Sequence, residues 1–445
     1  MQKRDVVVIG AGPAGLAAAL SLKENGIEDV LVVEREDYAG GLLYQCIHNG
    51  FGLHRFREEL TGPEYAERYL ESARERSVQI QTGTVVLDIK DEGEGKGLYL
   101  LSEQEGYLEI SAGAVILAMG CREKNRGNIN IPGSRPAGIM TAGLAQRMVN
   151  LEGYLPGGEV VILGSGDIGL IMARRLTWEG AHVKGVVEIQ PYPGGLNRNI
   201  DQCLRDFAIP LYLSHTITEI RGNPRVEAVE VSPIDTHHEP RKKGRFVLGC
   251  DTLLLSVGLV PENELSLKAG IVLDPVTLGP VVNSNLMTNV SGIFACGNVL
   301  HVHDLVDYVS EEGEHCGKKV AMFLKDELPK KGGLSKKREI PVKAGNLVRY
   351  VLPSTVELAP QKGEAVPQKR EAAPQKGEAT DRVMLFLRPI VPAEDPVLLV
   401  KSGEEIIYRR KYRKVFPSNM IRIPVKGIPE DSKGLEVGFQ IQPSQ

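Results

Sequence analysis

The 445-residue chain has few cysteines, and no two of its six cysteines stand close enough in the sequence to form a CxxC pair. Closely spaced cysteines are what structural zinc sites, iron–sulfur clusters and thioredoxin-like redox motifs require. Scattered single cysteines are instead typical of reduced thiols, which also excludes a secreted disulfide framework. We therefore expect a cytoplasmic protein that holds no metal.

Long apolar runs and an excess of one charge are missing as well. The apolar runs are short and interrupted by glycine or charged residues, which predicts no membrane span. Residues 1–5 lead directly into a strand, so we expect no signal peptide. With 53 basic and 57 acidic residues the net charge is −4, which gives no general reason to expect nucleic-acid binding. The 42% hydrophobic and 25% charged residues are typical of a globular protein, and the length indicates two or three domains.

A glycine-rich turn follows the first predicted strand. The β-branched residues of Val6–Ile9 predict a buried strand, and a helix is predicted after Gly15. Gly10 permits a tight turn, and Gly12 lets a pyrophosphate approach the backbone. Gly15 allows the helix to pack closely on the strand, and the unpaired N–H groups at the helix start favour a phosphate. The pattern indicates a dinucleotide-binding unit.

The second strand of this unit ends in an acid. Val30–Val33 are apolar, and Glu34 follows 24 residues after Gly10. In dinucleotide-binding units a carboxylate near this position accepts hydrogen bonds from the adenosine ribose. Strand, glycines, helix, strand and acid in this order are a much more specific signal than the glycines alone.

A second unit of the same design begins at the predicted strand Glu159–Leu163. Its turn carries Gly164, Gly166 and Gly169, and its second strand ends in Glu188, again 24 residues after the first glycine. A carboxylate there favours a free ribose 2′-hydroxyl and repels a 2′-phosphate, which predicts NAD rather than NADP. The alternative is a degenerate unit that binds no nucleotide.

The C-terminal third differs from the rest in composition. Residues 327–344 are predicted to be a linker, and alternating β-branched residues in 345–445 predict a small all-β domain of sandwich type. Residues 358–380 contain a seven-residue repeat that starts with proline, which predicts a disordered, low-complexity loop rather than a coiled coil. The basic segment Tyr408–Lys414 is interpreted as a charged edge strand rather than a nucleic-acid site.

Residues 1–326 resemble the flavoproteins with two dinucleotide-binding domains, a group that includes thioredoxin reductase, NADH oxidase and the disulfide reductases. Besides the two units, the segment Thr288–Val299 is similar to the motif with which the chain of these proteins returns to the FAD domain. The resemblance implies an α/β fold with two Rossmann-like domains of the three-layer ββα type. The NAD-binding domain, 125–258, would be inserted into an FAD-binding domain made of 1–124 and 259–326.

The resemblance also implies the cofactor contacts. Asn298 stands where the family usually has an aspartate that binds the flavin ribityl chain, and the following helix would point its N-terminus at the flavin pyrimidine. The residues expected at FAD are Gly10, Gly12, Pro13, Ala14, Gly15, Glu34, Arg35, Gly41, Leu42, Val85, Ala118, Gly120, Gly297 and Asn298. The residues expected at NAD(H) are Gly164, Gly166, Asp167, Ile168, Gly169, Glu188 and Gly258.

Two further segments narrow the resemblance. Gly40–His54 and Ala295–Asp307 look like those of flavoprotein subunits of multi-component dehydrogenases, such as the α subunits of sarcosine oxidase, opine oxidase and dye-linked proline dehydrogenase. They look most like bacterial flavoproteins paired with a glycerol-3-phosphate dehydrogenase-like partner. This implies an oligomeric oxidoreductase that passes electrons through FAD between NAD(H) and a small-molecule or protein acceptor, or a partner dehydrogenase subunit.

Two alternatives stay open at this point. A self-sufficient NADH oxidase or peroxidase would use Cys46 as a redox-active thiol, with His48 available as a proton carrier. A non-catalytic subunit would bind nucleotides only to scaffold a complex. The segment His301–Asp304 has the composition of a metal site, but we predict no metal because no further ligands follow at a fixed spacing.

Overall fold

The computed structural model describes residues 2–93, 95–328, 338–358 and 382–441. The loop predicted to be disordered, 358–380, lies outside this range except for its first residue. Among the described residues, no helix is both long enough and apolar enough to cross a bilayer.

The first segment of the chain builds six strands of a seven-stranded sheet with helices on it. Its elements are β1 (Gln2–Ile9), α1 (Pro13–Glu24), β2 (Val30–Val33), a 3-10 helix (Gly41–Gln45), β3 (Asn49–Phe51), β4 (Leu60–Thr61), α2 (Gly62–Glu75), β5 (Gln79–Gln81), β6 (Thr84–Asp91), β7 (Lys96–Ser102), β8 (Gly106–Leu117) and β9 (Cys121–Glu123). The sheet order is β5-β2-β1-β8-β7-β6. Strand β1 is buried between its parallel neighbours, with Val6 opposite Val30 and Ala114.

Strand β8 is one continuous strand of 12 residues. Its first half pairs antiparallel with β7, whereas residues 110–117 pair parallel with β1. Strand β8 therefore joins the antiparallel strands β6 and β7 to the parallel part of the sheet.

The second segment forms its own parallel sheet. Its elements are α3 (Arg126–Ile129), β10 (Ile139–Thr141), α4 (Ala142–Asn150), β11 (Glu159–Leu163), α5 (Asp167–Trp178), β12 (His182–Glu188), α6 (Asn197–Cys203), a 3-10 helix (Arg205–Phe207), β13 (Leu211–Leu213), β14 (His215–Arg221), β15 (Ala228–Pro233), β16 (Phe246–Gly249) and β17 (Thr252–Leu255). The parallel sheet has the order β10-β17-β11-β12-β13, and β14, β15 and β16 form an antiparallel sheet beside it.

The chain then returns to the first sheet. The elements are β18 (Leu259–Pro261), α7 (Glu264–Lys268), β19 (Ile293–Ala295), a 3-10 helix (Gly297–Val299) and α8 (Val306–Leu324). Strand β18 pairs with β9, so the outgoing and returning crossings lie side by side, and β19 extends the first sheet next to β8. Helix α8 packs very closely on α1, because a Cβ on Gly313 would lie 2.3 Å from the carbonyl oxygen of Ala14.

The C-terminal segment forms two facing sheets around one apolar core. Its strands are β20 (Arg338–Ala344), β21 (Val348–Leu352), β22 (Thr355–Leu358), β23 (Val383–Pro389), β24 (Ala393–Glu394), β25 (Val397–Ser402), β26 (Glu405–Lys411), β27 (Lys414–Val415), β28 (Ile421–Val425) and β29 (Leu435–Gln440). The larger sheet has the order β22-β20-β29-β25-β26, and the smaller has β21-β23-β28. Strand β20 occupies part of the segment predicted as a linker. The predicted fold class, two Rossmann-like units followed by a β domain, is confirmed.

Candidate dinucleotide-binding sites

The glycines of the first unit shape the turn between β1 and α1. A Cβ on Gly10, whose φ is +107°, would lie 2.4 Å from the carbonyl oxygen of Ala118. A Cβ on Gly15 would lie 1.9 Å from the carbonyl oxygen of Gly10. Both positions therefore require glycine. A Cβ on Gly12 would meet nothing within 4 Å, so it would point into open space before the N-terminus of α1. This space, facing unpaired helix N–H groups, fits a pyrophosphate.

The carboxylate of Glu34 is fixed beside this turn. One of its oxygens accepts the N–H of Ala11 at 2.8 Å, and the other accepts that of Glu36 at 3.0 Å. The side chain is buried at the end of β2. Carboxylate oxygens held in this way keep lone pairs free for a ribose hydroxyl, and Glu34 is the acid expected from the spacing to bind one.

The second unit repeats this arrangement. Glu188 accepts the N–H of Ser165 at 2.9 Å and the N–H of Gln190 at 2.8 Å, which correspond to Ala11 and Glu36 of the first unit. The hydroxyl of Ser165 adds a third hydrogen bond to Glu188, of 2.6 Å. A buried carboxylate with three donors is held firmly in one orientation.

The glycines of the second turn are equally constrained. A Cβ on Gly164, whose φ is +97°, would lie 2.0 Å from the carbonyl oxygen of Ser256, whereas a Cβ on Gly166 would make only ordinary contacts, the nearest at 3.4 Å. Asp167 begins α5, and its carboxylate accepts the N–H of Leu196 at 2.8 Å and the amide of Asn199 at 2.7 Å. Its side chain thus binds the start of α6.

A glycine pair beside each acid completes the likeness of the two units. In the first unit Gly40 donates to the carbonyl of Ala11 at 2.8 Å, and a Cβ on Gly41 would lie 3.0 Å from the Cα of Gly12. The second unit has the same series at the same spacing, a repeat that was not predicted from the sequence. The matching residues are Glu34, Tyr38, Gly40, Gly41 and Leu42 in the first unit and Glu188, Tyr192, Gly194, Gly195 and Leu196 in the second.

The other residues expected at FAD lie around the first turn. Arg35 and Leu42 are exposed next to Glu34 and Gly41, and Val85 follows Thr84, whose N–H donates to the carbonyl of Glu34 at 2.9 Å. The residues Pro13, Ala14 and Ile168 belong to the first turns of α1 and α5. The residues Gly120 and Gly258, both with positive φ, lie where the chain crosses between the domains.

The returning segment reaches the same turn. A Cβ on Gly297, whose φ is +74°, would lie 2.6 Å from the Cβ of Ala14, so this residue rests on the start of α1. The Oδ1 of Asn298 accepts the N–H of His303 at 3.0 Å, and its amide nitrogen donates to the sulfur of Cys121 at 3.7 Å. The second contact uses an amide N–H, which an aspartate lacks.

The geometry of Cys46 does not fit a reactive thiolate. Burial raises the pKa of Cys46 to about 12, and its sulfur donates to the side-chain oxygen of Gln146 at 3.8 Å. Burial also lowers the pKa of His48. The Nδ1 atom of this histidine lies 3.0 Å from the carbonyl oxygen of Asn49. Gln45, next in sequence, donates to Gln146 at 3.1 Å, so this segment joins the first domain to α4 of the second.

The fold brings two cysteines together that are far apart in sequence. The pKa of Cys296 is raised well above its usual range by a hydrogen bond with Cys316 and by burial. Both side chains are fully buried, so this pair has no access to a disulfide substrate from solution. The two cysteines stand 20 residues apart in the sequence, so they do not form a CxxC redox motif.

Comparison with known proteins agrees with this geometry. The sequence model of the family described as pyridine nucleotide-disulphide oxidoreductase matches residues 4–315. The hydrogen cyanide synthase protein HcnB of Pseudomonas protegens is 27% identical over 288 residues, which are 60% of this chain and 58% of that protein. One of the opine oxidase subunits of Agrobacterium tumefaciens is 24% identical over 66% of this chain and 61% of its own length. The chain thus spans about three-fifths of these relatives.

Solved structures extend the likeness of the fold. The crystal structure of T. acidophilum thioredoxin reductase superposes with a TM-score of 0.60 and 24% identity. The match covers 74% of this chain and the whole of that one. The C-terminal β domain is an addition to that common fold.

Proposed function

The chain belongs to the pyridine nucleotide-disulphide oxidoreductase family, whose members use FAD and NAD(P)H, and from this premise we propose that it is the flavoprotein subunit of a dehydrogenase complex. In that role it passes electrons through FAD between NAD(H) and a partner subunit. The observation that carries the proposal is the pair of complete nucleotide units, each with its acid held by the same two backbone N–H groups.

The chemistry of hydride transfer is supplied by the flavin and nicotinamide rings when they are bound. The chain's own groups bind and orient. The helix starts at Pro13 and Asp167 face the pyrophosphates, and Glu34 and Glu188 take the ribose hydroxyls. No side chain needs to supply a thiolate, which agrees with the protonated thiol of Cys46.

Selectivity for NAD follows from Glu188. Its carboxylate is buried and fixed by three donors, so it cannot swing away from a 2′-phosphate. The next residues along the chain, Ile189, Gln190 and Pro191, carry no positive charge that could accept such a phosphate. The negative carboxylate would repel the negative 2′-phosphate of NADPH, so NADPH binding is strongly disfavoured.

Two observations support a partner subunit: the names of the relatives and the C-terminal β domain, which the thioredoxin reductase fold lacks. HcnB and the opine oxidase relative are both named as subunits. In this chain the edge strand β26 carries the exposed residues Arg409 and Arg410. We propose the β domain as the docking surface and the cytoplasm as the location of the complex.

An anaerobic titration of the full chain tests the electron-transfer role. We expect about one equivalent of NADH to bleach the flavin absorbance, and NADPH to bleach it far less readily. Glu188→Gln should reduce the difference between NADH and NADPH in how readily they bleach the flavin. The matched control is Glu159→Gln, a half-exposed acid at the start of β11, which should behave like the unchanged chain. A flavin that stays oxidised with both nucleotides would favour the scaffold alternative, and equal bleaching by both would contradict the selectivity.

Two further variants separate the remaining alternatives. Undiminished NADH turnover by Cys46→Ser would exclude the self-sufficient oxidase or peroxidase. For docking, Arg409→Glu with Arg410→Glu reverses charge on β26 without touching the core, and loss of partner subunits on co-purification is the expected result. Unchanged co-purification would move the docking surface elsewhere on the chain.

A further inference from the structure

Three side chains with metal-ligand chemistry converge between the returning segment and α8. The Nε2 atom of His301 lies 2.9 Å from one carboxylate oxygen of Glu312, and the Nε2 atom of His303 lies 3.2 Å from the other. All three side chains are at most 2% exposed. The candidate ligand atoms lie within 4.8 Å of one another.

The spacing of these atoms suits a small ion. With bonds of about 2.0–2.1 Å, two ligands of a tetrahedral Zn²⁺ lie about 3.3 Å apart. The two nitrogen–oxygen distances are close to this value, so an ion could enter with only small movements of the rings. Two imidazole nitrogens and one carboxylate are three protein ligands, and the second carboxylate oxygen or a water completes the four donor atoms that zinc uses.

Protein groups alone leave this cluster incomplete. The Nδ1 atoms of His301 and His303 are buried and have no hydrogen-bond partner among the described residues. Unpaired buried polar atoms in a native protein commonly mark an ordered water, and a histidine that binds an ion through Nε2 needs such a partner for its Nδ1–H. Around the cluster, the ring of Phe386 from the β domain lies 5.3 Å from that of His301, so bulk solvent does not satisfy these atoms.

The carboxylate is also held as a ligand should be. Glu312 accepts the N–H of Gly297 at 2.6 Å, a contact from outside the cluster that orients its oxygens. The nearby acid Asp304 is bound to Arg388 and is therefore not available as a further ligand. Of the three ligands, Glu312 is the one on a helix, and it reaches the histidines because α8 lies beside the returning segment.

We propose that His301, His303 and Glu312 bind one divalent transition-metal ion of the Zn²⁺ type. Two imidazoles select such an ion over Mg²⁺ or Ca²⁺, which prefer oxygen ligands. All three ligands are buried, so the ion has a structural role. It ties the segment that carries Gly297 to α8 underneath the β domain.

Metal analysis of the untagged full chain tests this proposal. After growth with zinc and gel filtration, we expect about one ion per chain by plasma mass spectrometry, resistant to brief EDTA treatment. His303→Gln and Glu312→Gln should weaken Zn²⁺ binding by more than about 100-fold, since even residues outside the ligand set change affinity by 10–100-fold. His54→Gln, an exposed histidine outside the cluster, is the matched control and should keep the ion.

A spectroscopic measurement on the unchanged chain covers the case in which a variant does not fold. Co²⁺ added to metal-depleted protein should give the visible bands of a four-coordinate nitrogen and oxygen site, and Zn²⁺ should abolish them. The proposal would be overturned if the unchanged chain bound neither Co²⁺ nor Zn²⁺. It would also be overturned if folded His303→Gln and Glu312→Gln variants bound Zn²⁺ as tightly as the unchanged chain. A sulfur-to-cobalt charge-transfer band would also overturn it, because the ligands would then be cysteines.

Discussion

Arg388 of β23 donates to the carboxylate of Asp304, which lies between Gly297 and α8. The same guanidinium donates to the carbonyl of Val302 at 3.0 Å, and the N–H of Met420 donates to the other oxygen of Asp304 at 2.6 Å. The two charged side chains are only 13% and 20% exposed. The β domain is therefore fastened to the first domain beside the segment expected to meet FAD.

Removing one partner of this ion pair should destabilise the whole chain. We expect Arg388→Met to lower the free energy of unfolding by about 3 kcal/mol, because it leaves a mostly buried carboxylate without its cation. Denaturant unfolding followed by fluorescence measures this change. Arg409→Met, which removes an exposed arginine of the same domain, should change stability by less than about 0.5 kcal/mol. Equal effects of the two variants would mean that the ion pair contributes nothing specific.

The two nucleotide units could be predicted from the sequence because each is a local structure. Glu34 and Ala11 make their hydrogen bond within one strand–helix–strand unit, and the chain order of glycines and acid determines that contact. The repeated pair Gly194–Gly195 was also available in the sequence, since a residue-by-residue comparison of the two units reveals it.

Other features depend on contacts between distant parts of the chain. Strand β20 contains several charged residues and a proline, so its composition indicates a linker, and it is a strand because Val342 pairs with Leu435 almost a hundred residues later. Likewise, the sequence suggested metal-like composition at His301 and His303 but not their third partner. Only the packing of α8 brings Glu312 to them.

The second prediction concerns the open space at the first glycine turn. Gly12→Ala should fold normally, because its Cβ would meet no protein atom within 4 Å and its φ of −77° suits alanine. The added methyl group would occupy the space expected for the FAD pyrophosphate, so FAD should be lost on purification. The ratio of flavin to protein absorbance measures this. Gly15→Ala should instead prevent folding, since its Cβ would lie 1.9 Å from a carbonyl oxygen.

The third prediction concerns the second turn and uses the first as its control. Gly166→Ala should keep full FAD content, because its Cβ would make only ordinary contacts with Ser256. NADH should then reduce the bound flavin at least about tenfold less readily, because the methyl group stands where the NAD pyrophosphate is expected. Stopped-flow reduction at several NADH concentrations gives the apparent affinity. If Gly166→Ala lost FAD while Gly12→Ala kept it, the assignment of the two units would be reversed.

The last prediction concerns the reactivity of Cys46. A thiol with a pKa of about 12 has about a thousandfold less thiolate at pH 8 than one at the ordinary value of 9.0. Since the thiolate is the nucleophile, iodoacetamide should label Cys46 in the native chain far more slowly than in the unfolded chain. Peptide mass spectrometry after timed labelling measures both rates, and the native rate should still be rising with pH above 9. Rapid labelling at pH 7, with a plateau below pH 8, would mean that the thiol is activated and would return the peroxidase alternative to consideration.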